Sequence, residues 1–355
     1  MMTLHHYARS ALRALAVGLA AALLATTSLV KAQTATTQQT IDAMARANQA
    51  VLGVKVIAAA NAQSAQTLGL QRIGSGVVIG ADGLVLTIGY LMLEAETIEL
   101  ITQDKKSIPA RAVAYDLATG FGLIRPLVPL TGVQPVALGS ALQSNTGDAL
   151  MVGMGAQRIT DTDADVSMTQ LMSKRAFTGY WEYHIDTALF TSPAMPNHSG
   201  APLFNQRGEL LGIGSLFVAD VMGVRQTLTA RQAGNMFVPI DLLKPIIDEL
   251  TRTGSSSPSK RPWIGLTSTE QDGRIQVVRV ADDGPAKAAG LKPGDVVLAI
   301  DDVKVSTLEA LYKKLWDRAA PESEVKLTVL QGADQKTMVF KSVDRMTTLR
   351  RPAGI

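Results

Sequence analysis

The sequence predicts a mainly β protein with a second, smaller folded unit at its C-terminal end. Its 355 residues exceed what one hydrophobic core usually serves, so two folded units are expected. Short β-like runs recur at turn-length spacing between glycine and proline, as in a barrel or a sandwich. A hydrophobic share of 46% and a charged share of 18% are typical of packed globular proteins and not of disordered ones.

The first 32 residues have the organisation of a secretory signal. Basic residues precede the apolar run 15–24, and Val30-Lys31-Ala32 offers a small-residue cleavage site. We therefore expect cleavage after Ala32 and a periplasmic location. An uncleaved membrane anchor is the alternative, because the apolar run approaches the lower length limit of a bilayer span.

Removal of the signal changes the charge balance of the chain. It takes three of the 34 basic residues (Arg9, Arg13 and Lys31) and no acidic residue, which leaves 31 basic and 31 acidic residues. Without a net charge or a basic stripe, nothing indicates a nucleic-acid partner. The absence of cysteine excludes disulfides and thiolate metal sites. We expect no cofactor and no metal site, because the acidic run Asp161–Asp165 lacks the glycine and glutamate positions of a calcium loop.

Two helices are predicted at the ends of the first unit. Residues 33–50 are interpreted as a flexible leader followed by a short helix over 41–50, with Thr40 as its N-cap. A terminal helix is expected over 241–250, because its apolar residues follow a helical period.

The strands between these helices are predicted from turn signals. The dipeptide Asp82-Gly83 predicts a hairpin between the runs 76–79 and 84–87. The other expected strands are 51–57, 97–101, 110–114, 122–124, 149–153 and 210–217.

The segment 251–260 marks the boundary between the two units. It is rich in glycine, serine and proline, which predicts a linker without a core of its own. A compact unit of strands and two helical segments follows and ends near Val343.

Short glycine-containing motifs mark both units of the chain. They are Gly74–Ile79, Gly83–Thr87, Asn197–Leu203 and Gly208–Ile213 in the first unit and Gly284–Ile300 in the second. With these motifs, residues 51–250 resemble the trypsin-like protease domain of the HtrA (Deg) family of serine proteases, and residues 261–343 resemble its PDZ domain. The resemblance covers nearly all of the mature chain. It implies a double six-stranded β-barrel followed by a smaller α+β PDZ domain.

The resulting division has six parts. They are a signal (1–32), a leader with a short helix (33–50), a protease-like domain (51–250), a linker (251–262), a PDZ domain (263–345) and a tail (346–355).

The resemblance places the nucleophile at Ser199 but replaces its two triad partners. Where the family has its histidine base, this chain has Tyr90, and where it has the orienting aspartate, this chain has Gly120. A phenol with an ordinary pKa of about 10 is protonated at neutral pH and cannot act as imidazole does. Asn197 stands where the family has the glycine of the oxyanion hole. Asparagine tolerates positive φ better than most residues, so the hole could survive.

Only two histidines, His184 and His198, remain after the signal is removed. His198 neighbours Ser199 in sequence, and adjacent side chains of an extended loop point in different directions. His184 follows aromatic residues on an expected strand near the cleft; it is either a rearranged base or a half-buried histidine satisfied by hydrogen bonds. We therefore predict a pseudoprotease. An active serine endopeptidase with an atypical base, acting on misfolded periplasmic proteins, is the alternative.

The PDZ resemblance implies a peptide-binding groove. The N–H groups of Ile264, Gly265 and Leu266 would converge on a peptide's C-terminal carboxylate, and the strand from Leu266 would pair with the ligand. Leu308 and Leu311 lie on the amphipathic helix that forms the second wall, and they face either the groove or the core.

The partners that follow from this groove are peptides or protein C-termini. The predicted role is that of a scaffold, regulator or holdase in envelope protein quality control. An active protease paralogue is a further candidate partner. Membrane contact is expected only if the signal stays uncleaved.

Overall fold

The structure is a computed structural model that describes residues 37–156, 165–223 and 231–349. The expected secretory signal and most of the acidic run Asp161–Asp165 lie outside the described residues. No helix within these three ranges has the length and apolar character needed to cross a bilayer.

The first barrel closes because its first strand pairs on both sides. Its strands are β1 (Val51–Ala58), β2 (Gln71–Val78), β3 (Val85–Ile88), β4 (Ala95–Ile101), β5 (Ser107–Tyr115) and β6 (Phe121–Pro126). They follow the order β1-β2-β3-β6-β5-β4, and β1 is hydrogen-bonded to both β2 and β4. Side chains alternate between the two faces, so Val54 and Val56 are buried while Lys55 is exposed.

The second barrel repeats this arrangement. Its strands are β7 (Ala149–Gly153), β8 (Val166–Gly179), β9 (Tyr183–Ser192), β10 (Pro202–Phe204), β11 (Leu210–Val218) and β12 (Gly234–Pro239). They close in the order β10-β11-β12-β9-β8-β7. The predicted mainly β fold with two six-stranded barrels is therefore confirmed.

The first helix begins earlier than the sequence predicts. The described part of α1 covers 37–49, and a Gln38–Asp42 side-chain hydrogen bond spans one of its turns. Thr40 thus lies inside α1, and its prediction as the N-cap is wrong. The short helix α2 (Ala65–Leu68) follows β1.

The expected terminal helix over 241–250 is also wrong as a continuous element. A 3₁₀ turn at Ile240–Leu242 is followed by α3 (Ile247–Thr253). Pro245 lies between them; it has no N–H, and its ring clashes with the preceding helical turn.

The smaller unit has an antiparallel sheet with β14 at its edge. Its strands are β13 (Pro262–Trp263), β14 (Leu266–Gln271), β15 (Arg274–Val280), β16 (Val296–Ile300), β17 (Val303–Lys304), β18 (Glu324–Gln331), β19 (Asp334–Lys341) and β20 (Val343–Asp344). Its helices are α4 (Pro285–Ala288), α5 (Leu308–Trp316) and α6 (Arg345–Thr348). The main sheet runs β14-β15-β16-β18-β19, while β13 pairs with β20. A hydrophobic cluster that includes Ile275, Leu315 and Leu327 forms its core.

The segment between the two units, predicted as a linker without a core of its own, is fixed on the first barrel. Gly254 ends α3 with φ 82°, and Ser256 and Ser259 are fully buried. Both serine hydroxyls donate to one carboxylate oxygen of buried Asp116. A buried carboxylate requires such donors, which explains why the linker folds against it.

Candidate functional site

Ser199 lies where the two barrels meet. Its carbonyl accepts from Ser75 N of β2 at 2.8 Å, and the N–H of Gly200 donates to Gly214 O of β11 at 2.8 Å. Gly200 has φ +73°, and a Cβ at this position would lie 2.1 Å from Ser75 O. Only glycine fits this turn, which holds the half-buried Ser199 between the barrels.

Tyr90 reaches Ser199 from the 3₁₀ turn Gly89–Met92. Its phenol oxygen lies 2.7 Å from Ser199 Oγ and 2.8 Å from the carbonyl oxygen of Ser215. A carbonyl can only accept, so the single phenolic proton serves Ser215 and the Ser199 hydroxyl donates to the phenol oxygen. The buried Arg72 guanidinium fixes this turn by donating to Tyr90 O at 3.0 Å.

The surroundings of Tyr90 favour its neutral form. Burial raises the pKa of Tyr90 to about 12, and the hydrogen bond with Ser199 opposes this effect only in part. The group beside the serine hydroxyl is thus a protonated phenol at physiological pH. A phenol in this form is a poor general base.

Gly120 lies in a backbone conformation that suits glycine. Its φ is +85°, its N–H donates to Asp116 O at 2.7 Å, and its carbonyl accepts from Gly89 N at 2.7 Å. A Cβ would have room, since its nearest neighbour, Ile88 Cδ1, would lie 3.6 Å away. The left-handed conformation, rather than crowding, disfavours an aspartate here.

Asn197 and His198 precede the serine without completing a catalytic set. Asn197 is not among the described residues with positive φ. His198 Nδ1 lies 3.0 Å from Met195 O and donates to it, since a carbonyl can only accept. Burial lowers the pKa of His198, so the ring is neutral at physiological pH.

His184 lies at the contact between β9 and the PDZ helix α5. Its Nδ1 is 2.8 Å from Thr178 Oγ1, and its Nε2 is 3.1 Å from Asp186 Oδ1 and 3.9 Å from Glu309 Oε1. Lys313 Nζ lies 3.0 Å from Asp186 and 2.8 Å from Glu309, so one ammonium group pairs with both carboxylates. Within the described ranges, no histidine forms a hydrogen bond with Ser199 Oγ.

A small cleft opens beside Ser199. Its volume is about 230 Å³, and its lining comprises Leu68, Gln71, Arg72, Ile73, Tyr90, Leu91 and Ser199. The volume is below that of most small-molecule sites. Among the described residues that line this cleft, Tyr90 is the one whose side chain is hydrogen-bonded to the serine hydroxyl.

The predicted carboxylate-binding loop of the PDZ domain is assembled around a carboxylate of the protein itself. The N–H groups of Gly265 and Leu266 each donate to Glu182 Oε1 at 2.8 Å, and Ile264 N donates to Oε2 at 3.2 Å. Glu182 belongs to the turn between β8 and β9, and Ser268 N of β14 donates to Tyr180 O of the same turn at 2.9 Å.

Sequence reasoning identified the three donors but not Glu182. The one available signal was an acid enclosed by aromatic residues in Tyr180-Trp181-Glu182-Tyr183, and nothing in that pattern specifies a contact about 80 residues away. The two predicted groove leucines are buried, with Leu308 6% and Leu311 1% exposed, and belong to the hydrophobic cluster of the PDZ domain.

Comparison with known families agrees with this two-domain layout. Residues 74–213 match the trypsin-like peptidase domain, and residues 262–341 match the PDZ domain. A DegP-like periplasmic serine endoprotease of Halomonas elongata is 27% identical over 280 residues, which cover 76% of this chain and 56% of that protein. The serine protease HhoA of Synechocystis sp. is 26% identical over 303 residues, which cover 79% of this chain and 72% of that protein. The chain spans about half the length of the DegP-like relatives that it matches.

Solved structures share the fold. The HtrA-type protease AlgW with a tripeptide superposes with a TM-score of 0.51 at 21% identity, covering 88% of this chain and 98% of that one. The same protease with a decapeptide superposes with a TM-score of 0.51 at 20% identity, covering 88% of this chain and 99% of that one. Sequence identities of 20% and 21% establish a similarity of fold alone.

Proposed function

Because this chain belongs to the HtrA/Deg family of trypsin-like serine proteases with a PDZ domain, we propose that it is an exported pseudoprotease that binds peptides or protein C-termini. Its role is that of a scaffold, regulator or holdase in periplasmic protein quality control, with an active protease paralogue as a candidate partner. The relatives named as periplasmic endoproteases support the location and the general task.

One observation carries the proposed loss of activity. The Ser199 hydroxyl is paired with the neutral phenol of Tyr90, whereas catalysis needs a base that can accept its proton. Gly120 offers no carboxylate to orient a base, and the two histidines of the described ranges are engaged elsewhere. Binding would then be the remaining activity, and the PDZ donors at Ile264, Gly265 and Leu266 support it.

The first test is labelling with a fluorophosphonate and cleavage of casein by the exported chain. We expect no stoichiometric labelling and no cleavage above the Ser199→Ala control. Labelling or cleavage that disappears in Ser199→Ala would establish the alternative, an active endopeptidase with an atypical base.

The second test restores the missing groups as Tyr90→His with Gly120→Asp. The restored imidazole and carboxylate should give casein cleavage that Ser199→Ala abolishes in the same background. The gain should be partial, because the introduced aspartate would occupy the left-handed backbone conformation of Gly120. If cleavage stays absent, adding Asn197→Gly tests whether the oxyanion hole is the remaining defect.

A further inference from the structure

The turn 179–183 brings a buried carboxylate into the PDZ loop that should receive ligands. Glu182 has φ 57° and is only 5% exposed. Its two oxygens accept three consecutive backbone N–H groups of the PDZ domain, from residues 264 to 266. Consecutive amides that converge on one carboxylate form the arrangement by which such loops hold a chain terminus.

The same turn also occupies the strand position of a ligand. β14 is the edge strand of the PDZ sheet, so its outer side is where an added peptide would pair. There, Ser268 N donates to Tyr180 O at 2.9 Å. The turn therefore supplies both a strand contact and a carboxylate, which are the two features that a C-terminal peptide would present.

Aromatic contacts hold the turn in this shape. The Trp181 ring stacks on Tyr183 at 5.7 Å with an interplanar angle of 15°, and it meets Tyr180 edge-on at 4.7 Å. Tyr183 Oη donates to Thr119 O at 2.7 Å, which anchors the base of the turn to the first barrel. Because the turn is ordered by its own domain, it loses little conformational entropy when it docks.

Polar side chains make further contacts between the domains, and several of these contacts are exposed. Arg261 Nη2 lies 3.4 Å from both Leu117 O and Glu182 O, and its guanidinium lies 3.6 Å from the Trp316 ring centroid. Gln63 and Lys313 add exposed side-chain contacts across the boundary. Exposed polar pairs contribute about 0–1 kcal/mol each, so the buried Glu182 is the most specific contact.

We propose that the PDZ groove of this protein is closed in cis, with Glu182 in the place of a ligand's terminal carboxylate and Tyr180 in the place of its strand. This inference rests on the proposed peptide-binding function. A peptide with a free α-carboxylate binds by displacing the turn, and the closed fraction lowers its apparent affinity. Release of the groove also frees the protease-like domain from the PDZ domain at this contact.

The test measures binding of the full exported chain to an array of random decapeptides with free α-carboxylates. A second array carries the same peptides as C-terminal amides. We expect Glu182→Ala to half-saturate the free-acid array at a lower protein concentration than the wild type does, by a factor of about ten or more. Glu182→Gln keeps the side-chain volume but replaces one of the two accepting oxygens by an NH2 group, which cannot accept from a backbone N–H, so it should shift in the same direction. Glu96→Ala removes an exposed glutamate of β4 and should match the wild type.

The outcomes separate the two proposals. If the wild type and Glu182→Ala saturate the free-acid array equally, peptide binding stands and closure by Glu182 is wrong. If no variant prefers the free-acid array to the amide array, the proposed recognition of C-termini is wrong.

Closure is also tested without any peptide. The chain has no cysteine, so spin labels can be placed at Leu142→Cys and Val339→Cys, two exposed positions in different domains. Electron–electron double resonance should give one narrow distance distribution in the wild-type background and a broader one with Glu182→Ala. A broad distribution with Glu182 intact would overturn the closed state, whatever the array shows.

Discussion

At the scale of single residues, Tyr90 and Glu182 show how burial decides the chemistry of a side chain. Burial raises the pKa of Tyr90 to about 12 and that of Glu182 to about 7. For Tyr90 the result is a neutral phenol that holds Ser199 and Ser215 together. Tyr90 thus provides a structural hydrogen bond at this site.

The structural part of this role predicts a loss of stability in Tyr90→Phe. The variant leaves the Ser215 carbonyl and the Ser199 hydroxyl without this partner, which should lower the free energy of unfolding by about 1–2 kcal/mol. Urea denaturation measures the difference. Tyr180→Phe is the matched control, because Tyr180 is 58% exposed and should change stability by less than about 0.5 kcal/mol. Equal effects of the two substitutions would contradict the role given to Tyr90.

At the scale of elements, backbone chemistry explains where the sequence predictions were wrong. Pro245 interrupts the apolar period over 241–250, because a residue without an N–H cannot continue the helix. The glycine–serine linker is ordered, because Asp116 is buried and takes its hydrogen bonds from Ser256 and Ser259. The composition of the linker alone predicts a flexible segment. The Asp116 carboxylate that holds it in place lies 140 residues before Ser256 in the chain.

The ordered linker predicts greater proteolytic sensitivity in Ser256→Ala with Ser259→Ala. Removing both donors leaves one oxygen of buried Asp116 unsatisfied, at a cost of about 1–3 kcal/mol. Limited digestion with trypsin should then cut faster after Lys260, as followed by gel electrophoresis. Ser257→Ala is the control, because the Ser257 hydroxyl forms an exposed hydrogen bond with Glu249. An unchanged cutting rate in the double variant would show that the linker is held by other contacts.

At the scale of the whole molecule, the two domains meet through a titratable group. The Glu182 carboxyl faces the positive charges of Arg345 and Arg261 and the phenol of Tyr312, in addition to the three PDZ amides. Burial is the largest effect on its pKa, and the amides and Arg345 oppose it. The closed state therefore holds the proton of this carboxyl more tightly than an open, solvated state does.

This difference predicts that peptide binding strengthens with rising pH. The pKa of Glu182 is raised from 4.5 to about 7 in the closed state, so its stabilising contribution is complete below 4.5 and is lost as pH rises through 7. Apparent affinity for free-acid peptides should thus increase from about pH 5 to about pH 8, by at most about one to two orders of magnitude. Glu182→Gln should remove this dependence. A flat profile in the wild type, or an equal slope in both proteins, would contradict the linkage.

The sequence by itself determined the two-barrel and PDZ architecture. It also predicts, through the family resemblance, that Tyr90 and Gly120 replace the catalytic partners and that three PDZ amides bind a carboxylate. These features depend on local patterns and short motifs, since strand alternation, turn residues and loop signatures are written in adjacent positions. Only the tertiary structure decided that Tyr90 pairs with Ser199, that the linker docks on Asp116 and that Glu182 fills the PDZ loop. These contacts join residues about 80 to 140 positions apart. Their partners are selected by burial and by the need to satisfy buried polar groups, which no local pattern records.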